Sequence, residues 1–261
     1  MAINVDTVYK TVLLILNKEQ RGYITPDEFN KTATQVQLDI FERYFDDINQ
    51  QLRVPQSDYD YSSRQTSLDD KIAVFKEEGL CTYDLSFGKF ILPASTFSGK
   101  TVIYNTVPVP VNYCEFYKLG TVLYSKNINY PVRVQRLQKS EFYEINKSDL
   151  TAPSENFPVY LYEGQNNNSV NYLDVSPSSI TNNISVSFIR KPQNVTWAYS
   201  VGNVGQYLYN VSLSRNFELH PSEQVDVITR ILLYSGVILK DPQIIQVAAS
   251  EIQQNEINQK S

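Results

Sequence analysis

The chain has 261 residues and 30.0 kDa, 42% hydrophobic and 20% charged, which is enough apolar material for one large or two small cored domains. A net charge of -5 and a pI near 5.0 have the wrong sign for gripping phosphate backbones. Mean hydropathy is -0.32, no apolar run approaches the ~18 residues of a membrane span, and Asp6 stands where a signal peptide wants Lys or Arg, so a soluble, unsecreted chain is expected.

Val5, Val8, Tyr9, Val12, Ile15 and Leu16 recur at helical spacing, with Asn4 or Asp6 as cap and Gly22 as the stop. Thr25-Pro26-Asp27-Glu28 opens a second helix. Thr sits at the cap, Pro in the first turn and Glu three residues after the cap, which is a capping box. Phe29, Ala33, Val36, Ile40, Tyr44, Ile48 and Leu52 carry its apolar stripe. About 27 residues at 1.5 Å each predict a rod of roughly 40 Å. Residues 53–66 are polar and read as a loop, after which Ser67 and Asp70 cap a short helix through Leu68, Ile72 and Phe75, ended by Gly79.

Between Leu80 and Leu219 the side chains alternate, and β-branched and aromatic residues dominate. Strands are expected at 101–105, 121–125, 132–137, 159–162 and 185–189, with loops at 166–168 and 182–183. No amphipathic helix is visible between them, which points to a sandwich or barrel rather than a parallel sheet. His220-Pro221-Ser222-Glu223 then opens a helix whose apolar face is Val225, Ile228, Ile231, Leu232 and Leu239. Asp241-Pro242 caps a last one through Ile245, Ala248, Ala249 and Ile252. The expected fold is α+β: a helical bundle from the N-terminal and C-terminal segments, 1–79 and 219–261, with an inserted antiparallel β domain at 80–218, a sandwich or barrel.

Few residues offer chemistry. His220 is the single histidine, so any Ser-His-Asp or multi-His scheme rests on it alone; entry into the helix at Pro221 explains it better. Cys81 and Cys114 lie 33 positions apart without a CxxC and read as buried free thiols, with a mutual disulfide the weaker alternative. Ala94 to Thr101, Ala-Ser-Thr-Phe-Ser-Gly-Lys-Thr, fits a loose phosphate-binding loop. The residues after it read as strand and reach Pro108, so the helix that gives such a loop its dipole is missing. The acid pairs Asp46-Asp47, Asp58/Asp60, Asp69-Asp70 and Glu77-Glu78 sit on expected helix faces, caps, ends or loops, without a calcium-ligand ladder. N-glycosylation sequons such as those at Asn146, Asn183, Asn194 and Asn210 are coincidental in an unsecreted chain. The 19 tyrosines and the single Trp197 read as core or interface residues, and less readily as the floor of a sugar site. No catalytic residue, cofactor or metal ligand is expected.

The stretch from Val8-Tyr9-Lys10 through Leu16-Asn17-Lys18-Glu19-Gln20-Arg21-Gly22-Tyr23-Ile24-Thr25-Pro26-Asp27-Glu28-Phe29-Asn30 to Gln37, Ile40, Phe41 and Tyr44-Phe45 resembles short virion structural proteins of tailed bacteriophages. The likeness is to those of crAss-like phages with podovirus-type tails. Arg190-Lys191-Pro192 with Trp197, Phe217 to Glu223, and Ile231 to Val237 resemble the same proteins. The resemblance implies a non-enzymatic ring protein of the head-to-tail connector, assembled in the host cytoplasm into the virion. It would stack as a homo-oligomer, twelve copies if it matches the portal, below the portal protein or against adjacent ring and tail proteins. DNA would pass through its channel without specific binding. Ile244, Ile245, Val247 and Ile252 of the last helix are the expected contacts to a neighbouring ring. A tail-associated glycan-binding or glycan-cleaving component is the alternative.

Overall fold

A computed structural model describes residues 2–18, 23–51, 64–92, 102–104, 107–109, 116–125, 131–163, 171–203, 205–239 and 246–254. The fold is α+β, with helices at both ends of the sequence, sheets between them, and no closed barrel among the described residues. The chain divides into two compact units, Met1–Val74 with Pro192–Ser261, and Phe75–Lys191. Residues 192–218, expected among the strands, therefore group with the helices.

In the first unit, α1 (Val5–Lys18) is capped by Asn4, whose Oδ1 accepts from the amides of Asp6 at 2.8 Å and Thr7 at 3.2 Å. Val5, Val8, Tyr9, Val12 and Leu16 are buried, while Ile15 faces outward. The expected stop at Gly22 lies outside the described residues. α2 (Pro26–Gln51) carries the predicted capping box. The Thr25 amide and hydroxyl donate to Glu28 Oε2 at 2.9 and 2.7 Å, and the Glu28 amide returns a 3.4 Å bond to Thr25 Oγ1. Phe29, Ala33, Val36, Ile40 and Tyr44 of the stripe are buried; Leu52 lies outside the described residues.

A second, polar stripe on α2 explains where residues 192–218 go. Asn30, Thr34 and Gln37 follow one another at i, i+4 and i+7, and each bonds the backbone of an extended segment at every second residue. Asn30 exchanges two bonds with Trp197, at 2.7 and 3.3 Å. Thr34 exchanges two with Val195, at 3.2 and 3.4 Å. Gln37 donates to the Gln193 carbonyl at 2.6 Å and accepts from the Glu218 amide at 2.9 Å. The match is geometric, because one helical turn rises about 5.4 Å and two strand residues span about 6.6 Å. α5 (Gln224–Leu239) packs on α1 and α2, and its Tyr234 hydroxyl donates to Asp39 at 2.7 Å.

α3 (Arg64–Ala73) also belongs to this unit, and here two expectations are corrected. Residues 64–66, read as the end of a loop, are already helical; 52–63 lie outside the described residues. The helix stops at Ala73 instead of Gly79, so Asp69 and Asp70 sit in its second half. Glu77, Glu78 and Gly79 belong to a strand, β1 (Lys76–Leu80). The cause is non-local: β1 pairs antiparallel with β11 (Ile184–Arg190), Glu77 opposite Phe188 and Gly79 opposite Val186.

In the second unit β1 and β11 join β6 (Phe116–Tyr124) and β7 (Val132–Arg133) in a sheet of order β1-β11-β6-β7. The other large sheet is β2 (Thr82–Asp84), β3 (Lys89–Ile91), β10 (Tyr172–Ser176), β9 (Val159–Glu163) and β8 (Gln135–Arg136), in that order. It is mixed instead of purely antiparallel, because β8 runs parallel to β9. Phe90, Tyr160, Leu173 and Val175 of this sheet share one core with Val122, Ile184, Val186 and Phe188 of the other. An amphipathic helix that the sequence reading missed, α4 (Lys139–Lys147), interrupts the strands and buries Phe142 against Val159 and Leu161. Its start is a second capping pattern, the Gln138 amide donating to Glu141 at 3.2 Å.

Candidate interaction surface

The expected contacts lie on the last helix. Residues 246–254 are helical, but Ile244 and Ile245 lie outside the described residues. Of the other two, Val247 is 66% exposed and Ile252 half-buried, while Ala248 between them turns into the core. Val247 and Ile252 are five residues apart, so they do not share one helix face.

The surface that gathers apolar side chains is elsewhere in the same unit. β12 (Tyr199–Val201) and β13 (Tyr207–Tyr209) form a two-stranded ribbon, with Tyr199 opposite Tyr209, Ser200 opposite Leu208 and Val201 opposite Tyr207. Its turn contains Gly205 at φ +82°, a conformation that glycine adopts without the Cβ penalty. The ribbon grows from Trp197, which is 4% exposed. The Trp197 indole N–H donates to Asp6 at 3.1 Å. Its ring meets Tyr9 at 4.4 Å between centroids and stacks on Tyr209 at 5.6 Å and Tyr199 at 6.0 Å. Tyr199 in turn meets Tyr207 edge-on at 4.7 Å. The series runs from a buried anchor to an open end, where Tyr207, Leu208 and Val201 are 41%, 49% and 65% exposed. Burial, and then a bond with Tyr23, hold the Tyr9 phenol far above its ordinary pKa; the Asp27 carboxylate and the neighbouring phenols raise that of Tyr199. Both shifts favour the neutral form of Tyr9 and Tyr199. From Gln193 to Ser214 the sequence holds no charged residue at all.

This geometry decides the reading of Trp197. A ring buried under Tyr9, Tyr199 and Tyr209 has no free face to floor a sugar site; it is a core residue. The sequence reading missed the ribbon, although the uncharged run with Gly202 and Gly205 between two Tyr-rich triplets was a usable signal.

The second unit offers one polar cluster. Lys89 bonds Glu163, which holds its ammonium above the ordinary lysine range. Asp174, nearby, is raised, first by burial and then by Glu163, with Lys89 opposing. A Lys89–Glu163 ion pair with Asp174 close by, on three strands of one sheet, is an ordinary surface charge cluster.

The other sequence candidates are dispersed. Asp46, Asp69, Asp70 and Glu78 are exposed, and Glu77 pairs with Arg190 at 2.8 Å. The Asp47 side chain, Asp58, Asp60 and the loop 94–101 lie outside the described residues. Val102–Tyr104 (β4) pairs with Val107–Val109 (β5), so strand follows that loop as expected. His220 caps the short helical turn Pro221–Glu223: its Nδ1 accepts from the Ser222 amide at 3.2 Å and lies 2.8 Å from the Ser222 hydroxyl. Burial pushes the Cys81 thiol up to about 12; Cys114 lies outside the described residues. Among the described residues no group of three His, Cys, Asp or Glu is placed to hold a metal ion, and no helix is long and apolar enough to cross a membrane. No protein-family model matches the chain, and neither does any curated protein.

Proposed function

We infer that this chain is a non-enzymatic virion structural protein, a subunit of an oligomeric ring in a phage head-to-tail connector that extends the portal channel. The observation that carries the reading is the joining of distant sequence. Of the stretches that resemble connector proteins, 8–45 and 217–237 fall in one compact unit, where α5 packs on α1 and α2, while the stretch 190–197 is divided between the two units after Lys191. In this reading that unit is the ring-forming bundle, built from both ends of the sequence, and the Phe75–Lys191 unit is a β domain inserted into it. A net charge of -5 suits a conduit that must not retard DNA, since each phosphate contact would slow its passage.

The test is mass photometry of the chain mixed with the portal ring of its own phage. Twelve copies of 30.0 kDa add about 360 kDa to the portal ring. That gain supports the reading, and its absence, with and without the adjacent ring protein, refutes it. Val247→Asp adds a residue-level check. The side chain is exposed, so the fold is expected to survive, while a contact through the last helix is lost and the gain in mass falls.

A further inference from the structure

We propose that the β12–β13 ribbon is an edge-pairing site, where a second copy of this chain adds its own ribbon to make a four-stranded sheet. The backbone provides the donors and acceptors. Asn210 N donates to Ala198 O at 2.9 Å and Gly202 N to Gln206 O at 2.8 Å, one pair at each end of the ribbon. In an antiparallel ladder bonded and non-bonded pairs alternate. The pairs Tyr199/Tyr209 and Val201/Tyr207 are therefore non-bonded, and their N–H and C=O groups point away from the ribbon on both edges. Among the described residues these outward amides have no hydrogen-bond partner.

Among the described residues both edge strands of each of the two larger sheets carry charge, as edge strands do where pairing between chains must be avoided, while the β4–β5 ribbon has proline on one edge only. β1 carries Lys76, Glu77 and Glu78, β2 carries Asp84, β7 carries Arg133, β8 carries Arg136, and β5 contains Pro108. The β12–β13 ribbon has none of these. Its lack of charge also argues for the occupant. Two copies at -5 each carry like net charge, and the uncharged run 193–214 presents no like charge to a second copy. Stacking on Trp197 already holds Tyr199 and Tyr209 in place, so pairing orders few new side chains.

The inference shares with the connector reading only the expectation of several copies. The experiment is sedimentation of the full chain from about 1 to about 100 μM, with hydrogen exchange of the Tyr199, Val201, Tyr207 and Tyr209 amides. The mass is expected to rise from 30.0 kDa toward twice that value, with those amides slowing as concentration rises. Val201→Lys with Leu208→Lys changes two exposed positions and is expected to hold the chain at 30.0 kDa with its circular dichroism unchanged. A wild-type mass fixed at 30.0 kDa overturns the proposal. So does equal association by the double variant, or association that needs phosphatidylcholine vesicles. Ribbon pairing without portal binding leaves this proposal standing and fails the connector reading; portal binding by a chain that never self-associates does the reverse.

Discussion

Gln37 gives the sharpest test of how residues 192–218 are held. It is fully buried, and its amide bonds the Gln193 carbonyl at 2.6 Å and the Glu218 amide at 2.9 Å. Gln37→Leu keeps the side chain's bulk and removes both bonds, so two backbone groups face hydrocarbon. Each unsatisfied group costs about 1–3 kcal/mol. Gln193 and Glu218 are half-buried, so the lower part of that range applies, about 2–4 kcal/mol for the pair. That is a large share of a total stability of about 5–15 kcal/mol. At about 2–4 °C per kcal/mol for a chain of this size, Tm falls by roughly 4–16 °C. Trp197 is the only tryptophan and lies on the same ladder, so its fluorescence in urea reports the loss directly. Gln35→Leu is the control: Gln35 is exposed and bonds only Asp39, and its loss is expected to stay within about 0.5 kcal/mol. If Gln37→Leu unfolds no more easily than Gln35→Leu, the ladder does not hold the segment.

Thr25→Ala removes half of the capping box and is expected to destabilise by about 0.5–2 kcal/mol in urea titrations. The same box gives a pH dependence. Bonds from the Thr25 amide and hydroxyl hold the Glu28 carboxyl below the usual range, so its contribution is full above the unfolded pKa and lost as pH falls through the lower folded value. The difference in urea midpoint between wild type and Glu28→Gln should therefore shrink on acidification. Cys81, with its thiol raised to about 12 by burial, is expected to resist Ellman's reagent at neutral pH in a Cys114→Ser background and to react once urea unfolds the chain. Gly120→Ala would set a Cβ 2.9 Å from the Ser187 carbonyl oxygen on the neighbouring strand and is expected to cost about 1–3 kcal/mol by the same urea measurement.

Local signals were legible in the sequence; pairings at a distance were not. The cap at Thr25, the stripe from Phe29 to Tyr44 and the turn at His220 depend on residues a few positions apart, and the structure holds them as expected. Glu77 to Gly79 looked like a helix end because nothing nearby reveals that Phe188 and Val186 lie opposite. The roles of Asn30, Thr34 and Gln37 were not legible, since a sequence does not show that a backbone about 160 residues on will meet them. α4 was missed because one short helix of mixed composition carries a weak pattern, and only burial of Phe142 makes it plain. The expected interface fared similarly: of its four residues only Val247 is seen to face outward, while Val201, Tyr207 and Leu208 are exposed together on a ribbon whose anchor is a buried tryptophan.

The helical unit takes its parts from both ends of the chain, and that sets a delay during synthesis. α2 is complete at Gln51, while α5, which covers part of it, is complete only at Leu239, 188 residues later. At roughly 5–20 residues per second the ribosome needs on the order of 10–40 s to close that gap. A helix forms in about a microsecond or less. The stripe of Phe29, Val36, Ile40 and Phe41 is thus made early and must wait, while Phe75–Lys191 emerges whole in the interval with its own core. A nascent chain of this kind should bind a holding chaperone until its C-terminal helix is out, and release it when α5 docks.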